Sequence, residues 1–413
     1  MSITHSGESE DDDDPYLKST CAHQYLFGYE LPDTLFILTE SGHAFVLATK
    51  KKCDFLSKAV GKAPSGSKIV SLTCLVKGKE DGPSAMTEIF KKLLKEITDK
   101  SSNINGKEFI NMGILEKEWD VENTSTTSVV GGWQTFLNSS TTLQIKKINK
   151  VDISVGLSIV MSTKDTHEIE LLRKSSVLTN KLLKHGFISR LEEIIENEVQ
   201  VTHDTLSSEL ESMIEDPSKI KLNIPQDQVQ SCYNPIIQSG GEYDLRVSAQ
   251  SNTLTLKYDV ITVSFGSRYQ FYCSNIGRTF LVDPPKAVKE TYEILVAVQE
   301  VCIAAMTPGT PLKAVYAAAV KKLEDEKRSD LIEKLPKSLG FSIGLEFRDA
   351  TLLLTAKNNA IFRSGMIFNL SVGFSDLVLN KTDVESTHDK SAVSLSSSTC
   401  MNEDKKVVCF ILL

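Results

Sequence analysis

The sequence lacks the features that mark several large classes of protein. Its eight cysteines include no C-x-x-C pair, so the ligand spacing of a zinc ribbon is missing. No apolar run approaches the roughly 20 residues that cross a bilayer, and the polar, acidic start does not resemble a secretory signal. We therefore expect no membrane partner and a reducing compartment, either cytosol or nucleus.

Outside one acidic segment the chain also has little net charge. The net charge is −8, and the six acids Glu8, Glu10 and Asp11–Asp14 leave a balance of −2 once they are set aside. We predict that residues 1–15 form a solvated acidic tail, with a short patch for a basic partner as the alternative. Proteins that bind duplex DNA usually carry a basic surface. Because the rest of this chain is nearly neutral, we predict no direct DNA binding by this domain.

What is present indicates an ordinary globular composition and two domains. The chain has 413 residues, of which 41% are hydrophobic and 24% charged. Alternating strand and helix signals predict an α/β N-terminal lobe over residues 16–164, including a hairpin at 35–48 and a helix at 85–99. We predict that the apolar stretch 153–161 is the last strand of this lobe.

Residues 165–413 show a different order of elements and are predicted to be a second, α+β lobe. The helix-rich part ends near Asp216-Pro217, and the segment 236–282 is rich in strand signals. Residues 376–405 are rich in Ser, Thr and Asp and are predicted to be mobile. The apolar residues 407–413 predict a strand.

The stretch Tyr258–Pro285 resembles the metal-binding core of the pita-bread (creatinase/aminopeptidase P) superfamily. In that family carboxylates and a histidine hold two divalent cations, which activate a hydroxide for attack on an amide. The metal-ligand positions here hold other residues, namely Ser264, Asn275, Phe341, Ser371 and, near the last ligand, Ser397. The substrate-side histidine of the family is replaced by Arg348.

The distribution of histidine agrees with these replacements without any alignment. Residues 204–387 contain no histidine, although the family draws a metal ligand and a proton shuttle from that region. Phenylalanine cannot coordinate a metal, and serine and asparagine are weak neutral ligands. We therefore expect no metal, no other cofactor and no peptidase activity. Ser264, Asn275 and Ser371 are predicted to be satisfied polar residues that line a cleft.

Longer strings resemble the N-terminal domain of the large subunit of the FACT histone chaperone, over roughly residues 16–375. The strings are Tyr25–Thr34, Lys50–Lys52, Phe55-Leu56, and residues 231–246, 272–284 and 344–349. The resemblance implies an α/β lobe followed by a catalytically inactive pita-bread lobe. It also implies a nuclear, chromatin-associated complex that reorganises nucleosomes in transcription, replication and repair, in which the subunit is longer than this chain.

Under this resemblance the chain is a non-catalytic module that binds histones or histone tails. The smaller FACT subunit would be bound through parts of the subunit outside this chain, and other replication or transcription proteins are further candidate partners. Arg278, Glu346 and Arg348 are candidate cleft charges, with internal ion pairs as the alternative interpretation. Two other functions stay open: an architectural scaffold that recruits replication or transcription proteins, and a metal-dependent aminopeptidase, against which the missing ligands argue.

Overall fold

A computed structural model describes most of the chain. The described residues are 2–5, 16–60, 71–78, 82–100, 110–119, 128–139, 148–377 except 242, 245, 247 and 259, then 391–395 and 410–412. The chain divides into two compact units, 1–161 and 162–413, whereas the sequence predicts a boundary between 164 and 165. We call them the N-terminal unit and the C-terminal unit. The acidic run Glu8–Asp14 and Ser397 lie outside the described residues.

The N-terminal unit alternates strands and helices. Its described elements are, in chain order, β1 (Ser2–His5), α1 (Lys18–Phe27), β2 (Thr34–Leu38), β3 (His43–Thr49), α2 (Lys50–Val60), β4 (Ser71–Lys77), α3 (Pro83–Lys100), β5 (Ile110–Ile114), α4 (Glu116–Trp119), α5 (Val129–Asn138), β6 (Ile148–Asp152) and α6 (Ser154–Ser162). Strands β1, β2 and β3 pair antiparallel, and β4 pairs parallel with β3, so that α2 forms the crossover of a βαβ unit. Strands β5 and β6 form a second, parallel pair.

The core of this unit lies between the main sheet and helices α3 and α5. Strand residues Phe45 and Leu47 are fully buried in one cluster with Phe90 of α3 and Trp133 of α5. The ring of Trp133 stacks on that of Phe136 at a centroid distance of 5.7 Å. Strand β3 is apolar and buried on both faces, and the face that carries Phe45 and Leu47 is the one on which both helices pack.

The prediction of a strand over 153–161 is wrong, because this stretch forms helix α6. Leu157 and Met161 are buried, whereas Val155 and Val160 are exposed, which is the spacing of a helix face. Asp152 starts the helix by accepting hydrogen bonds from the backbone N–H and the hydroxyl of Ser154, at 3.0 and 2.6 Å. A short apolar run has no periodicity of its own, so sequence alone does not separate the two structures.

The C-terminal unit begins with helices and continues with strands and two long helices. Its described elements are α7 (Thr166–Lys181), a π-helix (Leu182–Ile188), α8 (Ser189–Glu196), α9 (His203–Glu215), two 3₁₀ turns (Pro217–Ile220 and Gln226–Gln228), β7 (Val229–Ser231), β8 (Ile236–Gln238), β9 (Val260–Tyr269), β10 (Tyr272–Leu281), α10 (Lys286–Ala305), α11 (Lys313–Asp325), a third 3₁₀ turn (Ser329–Lys334), β11 (Gly340–Ser342), β12 (Asp349–Leu353), β13 (Ile367–Leu370), β14 (Val372–Leu377), β15 (Ser391–Leu395) and β16 (Phe410–Leu412). None of the described helices in either unit is long and apolar enough to cross a membrane.

Two sheets carry the central part of this unit. Strands β7 and β8 both pair with β9, which forms a long antiparallel hairpin with β10, and the second sheet has the order β12-β11-β13-β16. Gly266 of β9 is required by a close approach, since a Cβ there would lie 2.5 Å from the carbonyl oxygen of Ser274. Strand β16 lies within the strand predicted over 407–413. Strand β15 lies within the segment predicted to be mobile, and the rest of 378–405 is outside the described residues.

Two apolar clusters hold the C-terminal unit together. One joins helices α7 to α9 to the hairpin strands and contains, among others, Phe187, Leu210, Val263 and Phe265. The other joins helices α10 and α11 to strands β12 to β14. Helix α7 starts at a capping box in which Asp165 and Glu168 each accept the other's backbone N–H, at 2.8 and 2.9 Å. The Glu168 carboxylate also accepts a hydrogen bond from the Tyr272 hydroxyl at 3.1 Å, which connects α7 to the start of β10.

Candidate functional site

Two polar residues at former ligand positions of the β9–β10 hairpin, Ser264 and Asn275, face the same side of the sheet. Ser264 of β9 pairs with Gly277, and Asn275 of β10 pairs with Gly266, so Ser264 and Asn275 are diagonal neighbours on one face. Asn275 is buried and Ser264 is partly exposed. In a metal-binding relative this face would present carboxylates, whereas here it presents a hydroxyl and an amide.

Tyr233, from the loop between β7 and β8, joins these two side chains. Its hydroxyl donates to Asn275 Oδ1 at 2.6 Å and lies 2.6 Å from Ser264 Oγ. A phenol has one hydrogen to donate, so the Ser264 hydroxyl donates to the Tyr233 oxygen. Burial raises the pKa of the Tyr233 phenol far above its ordinary value of 10.0, an effect that the hydrogen bond to Ser264 reduces only in part. The three groups therefore form a neutral hydrogen-bonded triad.

An aromatic cluster continues from this triad to strand β11. The Phe347 ring lies 5.2 Å from the Tyr233 ring and 5.5 Å from the Phe341 ring, with both pairs tilted. The guanidinium carbon of Arg348 lies 5.7 Å from the Phe341 ring centroid, within the range of a cation–π contact. The position where the family carries a histidine ligand is thus packed among apolar rings.

Strand β13 places one more polar side chain beside this cluster. Asn369 pairs with Phe341 in the β11–β13 register and is completely buried. Its side-chain oxygen and nitrogen have no hydrogen-bond partner among the described residues. Ser371, two residues further along, is partly exposed, and its backbone N–H donates to the carbonyl of Leu339 at 2.8 Å. An unpartnered buried amide costs about 1–3 kcal/mol.

The donors present do not fit the two-cation centre of the family. Ser264 and Asn275 are neutral and already bonded to Tyr233, and Phe341 offers no lone pair. Within the part of the chain that the structure describes, no three His, Cys, Asp or Glu side chains come together as a metal site would require.

A serine motif in the same region has no catalytic geometry. Residues Gly340–Gly344 match G-x-S-x-G, which in α/β-hydrolases forms a sharp turn from a strand into a helix. Here Gly340–Ser342 is strand β11, paired on both sides, and Ser342 is buried. No helix follows this segment, so Ser342 is a strand residue and not an exposed nucleophile.

The three candidate cleft charges occupy different surroundings. Arg348 is exposed and lies over the aromatic cluster, and Glu346 is partly exposed two residues before it. The Arg278 Nη1 donates to the carbonyl of Gly277 at 2.7 Å, and its charge partly offsets the increase that burial causes in the pKa of Tyr292. The structure brings Arg348 to the aromatic cluster, while Arg278 lies along its own strand and close to α10.

Three residues of the site were not singled out by the sequence reasoning, namely Tyr233, Phe347 and Asn369. Tyr233 and Phe347 lie inside strings that carry the family resemblance, but their partners are distant in sequence. Tyr233 contacts side chains 31 and 42 residues away. The one available signal was a second phenylalanine, Phe347, six residues after Phe341, which stands at the ligand position that lacks its histidine.

The fold and the site define a peptidase-like protein of metallopeptidase family M24, whose family model matches residues 170–396. The model of the FACT complex subunit SPT16 N-terminal lobe domain matches residues 2–156. The chain belongs to the family of SPT16 N-terminal domains, which joins these two parts in this order. The predicted resemblance and the predicted fold class are both confirmed.

Individual relatives agree with this assignment. The N-terminal domain of FACT complex subunit SPT16 from chickpea, Cicer arietinum, is 33% identical with a TM-score of 0.81, covering 99% of this chain and 89% of that domain. FACT complex subunit SPT16 of Oryza sativa subsp. japonica is 34% identical over 94% of this chain, which spans 35% of that protein. The X-Pro aminopeptidase of Thermotoga maritima, at 16% identity, a TM-score of 0.61 and coverage of 92% and 88%, shares the fold.

Proposed function

We propose that the chain is a non-catalytic histone-binding module of a FACT-type histone chaperone that reorganises nucleosomes. One observation carries the proposal: the positions that would bind cations are closed by the triad of Tyr233, Ser264 and Asn275 and by the rings of Phe341 and Phe347. The names of the relatives, FACT complex subunit SPT16, support the chaperone part of the proposal.

The chemistry of the closed site supports the non-catalytic part. Amide hydrolysis in this fold class needs an activated hydroxide, and two bridged cations supply it. The triad is neutral, and burial keeps the phenol of Tyr233 protonated, so it provides neither a base nor a stabilised anion. What remains is a scaffold with polar and charged groups that can hold a polypeptide without cleaving it.

The charges near the cluster suggest how a histone segment would be held. Histone tails are basic, so Glu346 would attract them, and Arg348 would favour contacts with acidic or carbonyl groups of the partner. Binding of this kind would weaken as salt increases. The near-neutral body does not favour direct DNA binding by this domain. The smaller FACT subunit would be bound by parts of the longer subunit, in the nucleus and on chromatin.

A titration with fluorescently labelled core histones tests the proposal. We expect the unaltered chain to bind the histones. At moderate salt, Glu346→Lys should lower the affinity about tenfold, and Arg348→Glu should also change the affinity. The matched control is Glu290→Lys on α10, an exposed acid that pairs with Lys286 and lies outside the cluster. Absence of histone binding at both low and moderate salt would contradict the proposal and leave the scaffold function.

The non-catalytic part needs its own measurement. The chain is incubated with Mn²⁺ or Zn²⁺ and a peptide whose second residue is proline, and release of the first residue is followed. We expect no release. Turnover that disappears in Tyr233→Ala but persists in the exposed-ring variant Tyr29→Ala would overturn the non-catalytic part of the proposal. The activity would then depend on the site formed by Tyr233, Ser264 and Asn275.

A further inference from the structure

The N-terminal unit exposes a group of apolar side chains that the proposed function does not use. Leu26, Tyr29 and Phe55 are exposed by 39%, 55% and 40%, and the rings of Tyr29 and Phe55 meet edge to face with centroids 4.9 Å apart. Single exposed apolar residues are common on proteins and need no explanation. Two touching rings that both stay exposed are a contiguous patch of the kind that binds partners.

The backbone holds these rings in place. Helix α1 ends at Phe27, whose ring packs inward against Phe36 at 5.2 Å, and Gly28 then adopts a left-handed φ of 73°. The Gly28 N–H bonds the carbonyl of Gln24 at 2.8 Å, which reverses the chain and turns Tyr29 toward helix α2. The Lys52 ammonium of α2 donates to the carbonyl of Pro32, so both ends of the segment are fixed. A surface organised in advance loses little entropy on binding.

Lysines outnumber acids around the rings, although Glu30 beside Tyr29 is exposed as well. Lys50, Lys51 and Lys58 of α2 are exposed, and Lys51 and Lys58 lie four residues before and three after Phe55, on the same helix face. No described ion pair involves any of these three lysines, and Asp54 is the one acid between residues 50 and 58. Lysines in the first turn also face the positive end of the helix dipole, an unfavourable arrangement that a bound anion would relieve.

We propose that this surface, formed by Leu26, Tyr29, Phe55, Lys50, Lys51 and Lys58, docks an acidic linear peptide of another protein. An aliphatic or aromatic side chain of the peptide lies against the two rings, and its carboxylates face the lysines. The partner is distinct from the histone tails of the proposed function, because a basic tail would be repelled by the same lysines. The inference therefore stands or fails independently of histone binding.

The ring geometry favours a peptide over a single-stranded nucleic acid. Nucleobases bind by stacking on open aromatic faces along a strongly basic groove. Here the edge of one ring covers the face of the other, and three lysines against the two acids Glu30 and Asp54 make a modest positive field. Carboxylates beside an apolar side chain match this arrangement better than a continuous phosphate backbone does.

The test selects peptides from a random library of dodecapeptides displayed on phage, with the full chain as bait at low salt. We expect the enriched peptides to be acidic and to contain an aliphatic or aromatic residue. Their recovery should fall about tenfold on Tyr29→Ser/Phe55→Ser and on Lys51→Glu/Lys58→Glu. The control Leu254→Ser/Lys286→Glu changes an exposed apolar residue and an exposed lysine elsewhere and should retain the peptides.

Each other outcome overturns the proposal. Enrichment without an acidic bias, equal recovery on both double variants, or no enrichment above background would each exclude an acidic peptide as the ligand. A labelled oligo(dT) probe, titrated in parallel, tests a single-stranded nucleic acid as the alternative ligand. If it binds the unaltered chain and is lost in the same variants while peptides do not bind, the surface is a nucleic-acid site. Thermal unfolding of every variant confirms that the chain remains folded.

Discussion

The site around Tyr233 in the C-terminal unit and the surface around Tyr29 in the N-terminal unit place their aromatic and polar groups in opposite environments. In the C-terminal unit, Tyr233, Ser264 and Asn275 bond one another, and Phe341 and Phe347 pack against them. In the N-terminal unit, Tyr29 and Phe55 stay exposed beside lysines. The closed site keeps the strands of a peptidase and replaces its charges by neutral groups. The exposed surface has no comparable closure.

Solvent explains the difference. A buried group that loses its ionic partner has no water to replace it, so the surrounding side chains must supply a hydrogen bond or become apolar. An exposed lysine keeps its hydration, so leaving it without an ionic partner costs little free energy. Replacing charged groups in a buried site by neutral ones therefore requires coordinated changes, whereas an exposed surface tolerates unpaired charge.

The largest expected effect separates a ring of the closed site from a ring of the exposed surface. Tyr233→Ala removes a partly buried aromatic ring and two hydrogen bonds and should lower the free energy of unfolding by about 3 kcal/mol. Tyr29→Ala should change it by about 0.5 kcal/mol or less, because that ring is exposed. Urea unfolding of the full chain measures both.

Two optical signals assign each change to its unit. Both tryptophans, Trp119 and Trp133, lie in the N-terminal unit, so their fluorescence follows that unit, while far-ultraviolet circular dichroism follows both. Tyr233→Ala should shift the dichroism transition and leave the tryptophan transition unchanged. Similar losses of unfolding free energy for Tyr233→Ala and Tyr29→Ala would contradict the difference between the two sites.

The next effect restores a charge to the closed site. Asn275→Asp places a carboxylate where burial disfavours ionisation, and a rise of two units in its pKa would correspond to about 2.7 kcal/mol at pH values where the unfolded chain is ionised. The loss of stability should therefore be large at pH 8 and shrink toward acid. Added Mn²⁺ should not recover it, since Phe341 still occupies the histidine position.

Asn149→Asp on the exposed face of β6 is the matched control and should shift stability by about 0.5 kcal/mol or less. Recovery of Asn275→Asp by Mn²⁺ alone would show that the aromatic cluster does not close the site.

A smaller effect concerns alkaline pH. Burial raises the pKa of Tyr233 above 10.0, so the unfolded chain ionises first as the pH rises. The stability contributed by this group is complete below pH 10 and declines above it, by up to about 1.4 kcal/mol per pH unit. Tyr233→Phe should be less stable at neutral pH, because Asn275 and Ser264 lose a partner, and should show a shallower decline above pH 10. An unchanged slope would argue against the buried phenol.

The smallest effect lies on the exposed surface. Lys51→Glu replaces a positive charge in the first turn of α2 and should stabilise the N-terminal unit by about 0.3–1 kcal/mol, while Lys58→Glu in the last turn should destabilise it by a similar amount. Tryptophan fluorescence in urea measures both. Equal signs for the two variants would mean that the helix dipole does not act on these lysines, which would weaken the electrostatic part of the docking proposal.

Local pattern was sufficient for some elements and insufficient for others. The two apolar runs that flank the turn segment Glu40–His43 predicted the hairpin that the structure places at Thr34–Leu38 and His43–Thr49. The same reasoning failed for α6, because a run such as Val155–Met161 is apolar in either conformation and only burial of Leu157 and Met161 distinguishes the helix. Elements with a strong period or a turn signal were predictable, and a short uniform run was not.

The sequence by itself determined which donor groups stand at the ligand positions of the family. Ser264, Asn275 and Phe341 lack the charge and lone pairs of metal ligands wherever the chain places them, because donor chemistry belongs to the residue. Only the tertiary structure decided what fills the space: Tyr233 and Phe347 reach those positions through strand pairing between segments far apart in sequence. Contacts of this kind depend on how sheets and loops pack, and no local pattern in the chain encodes them.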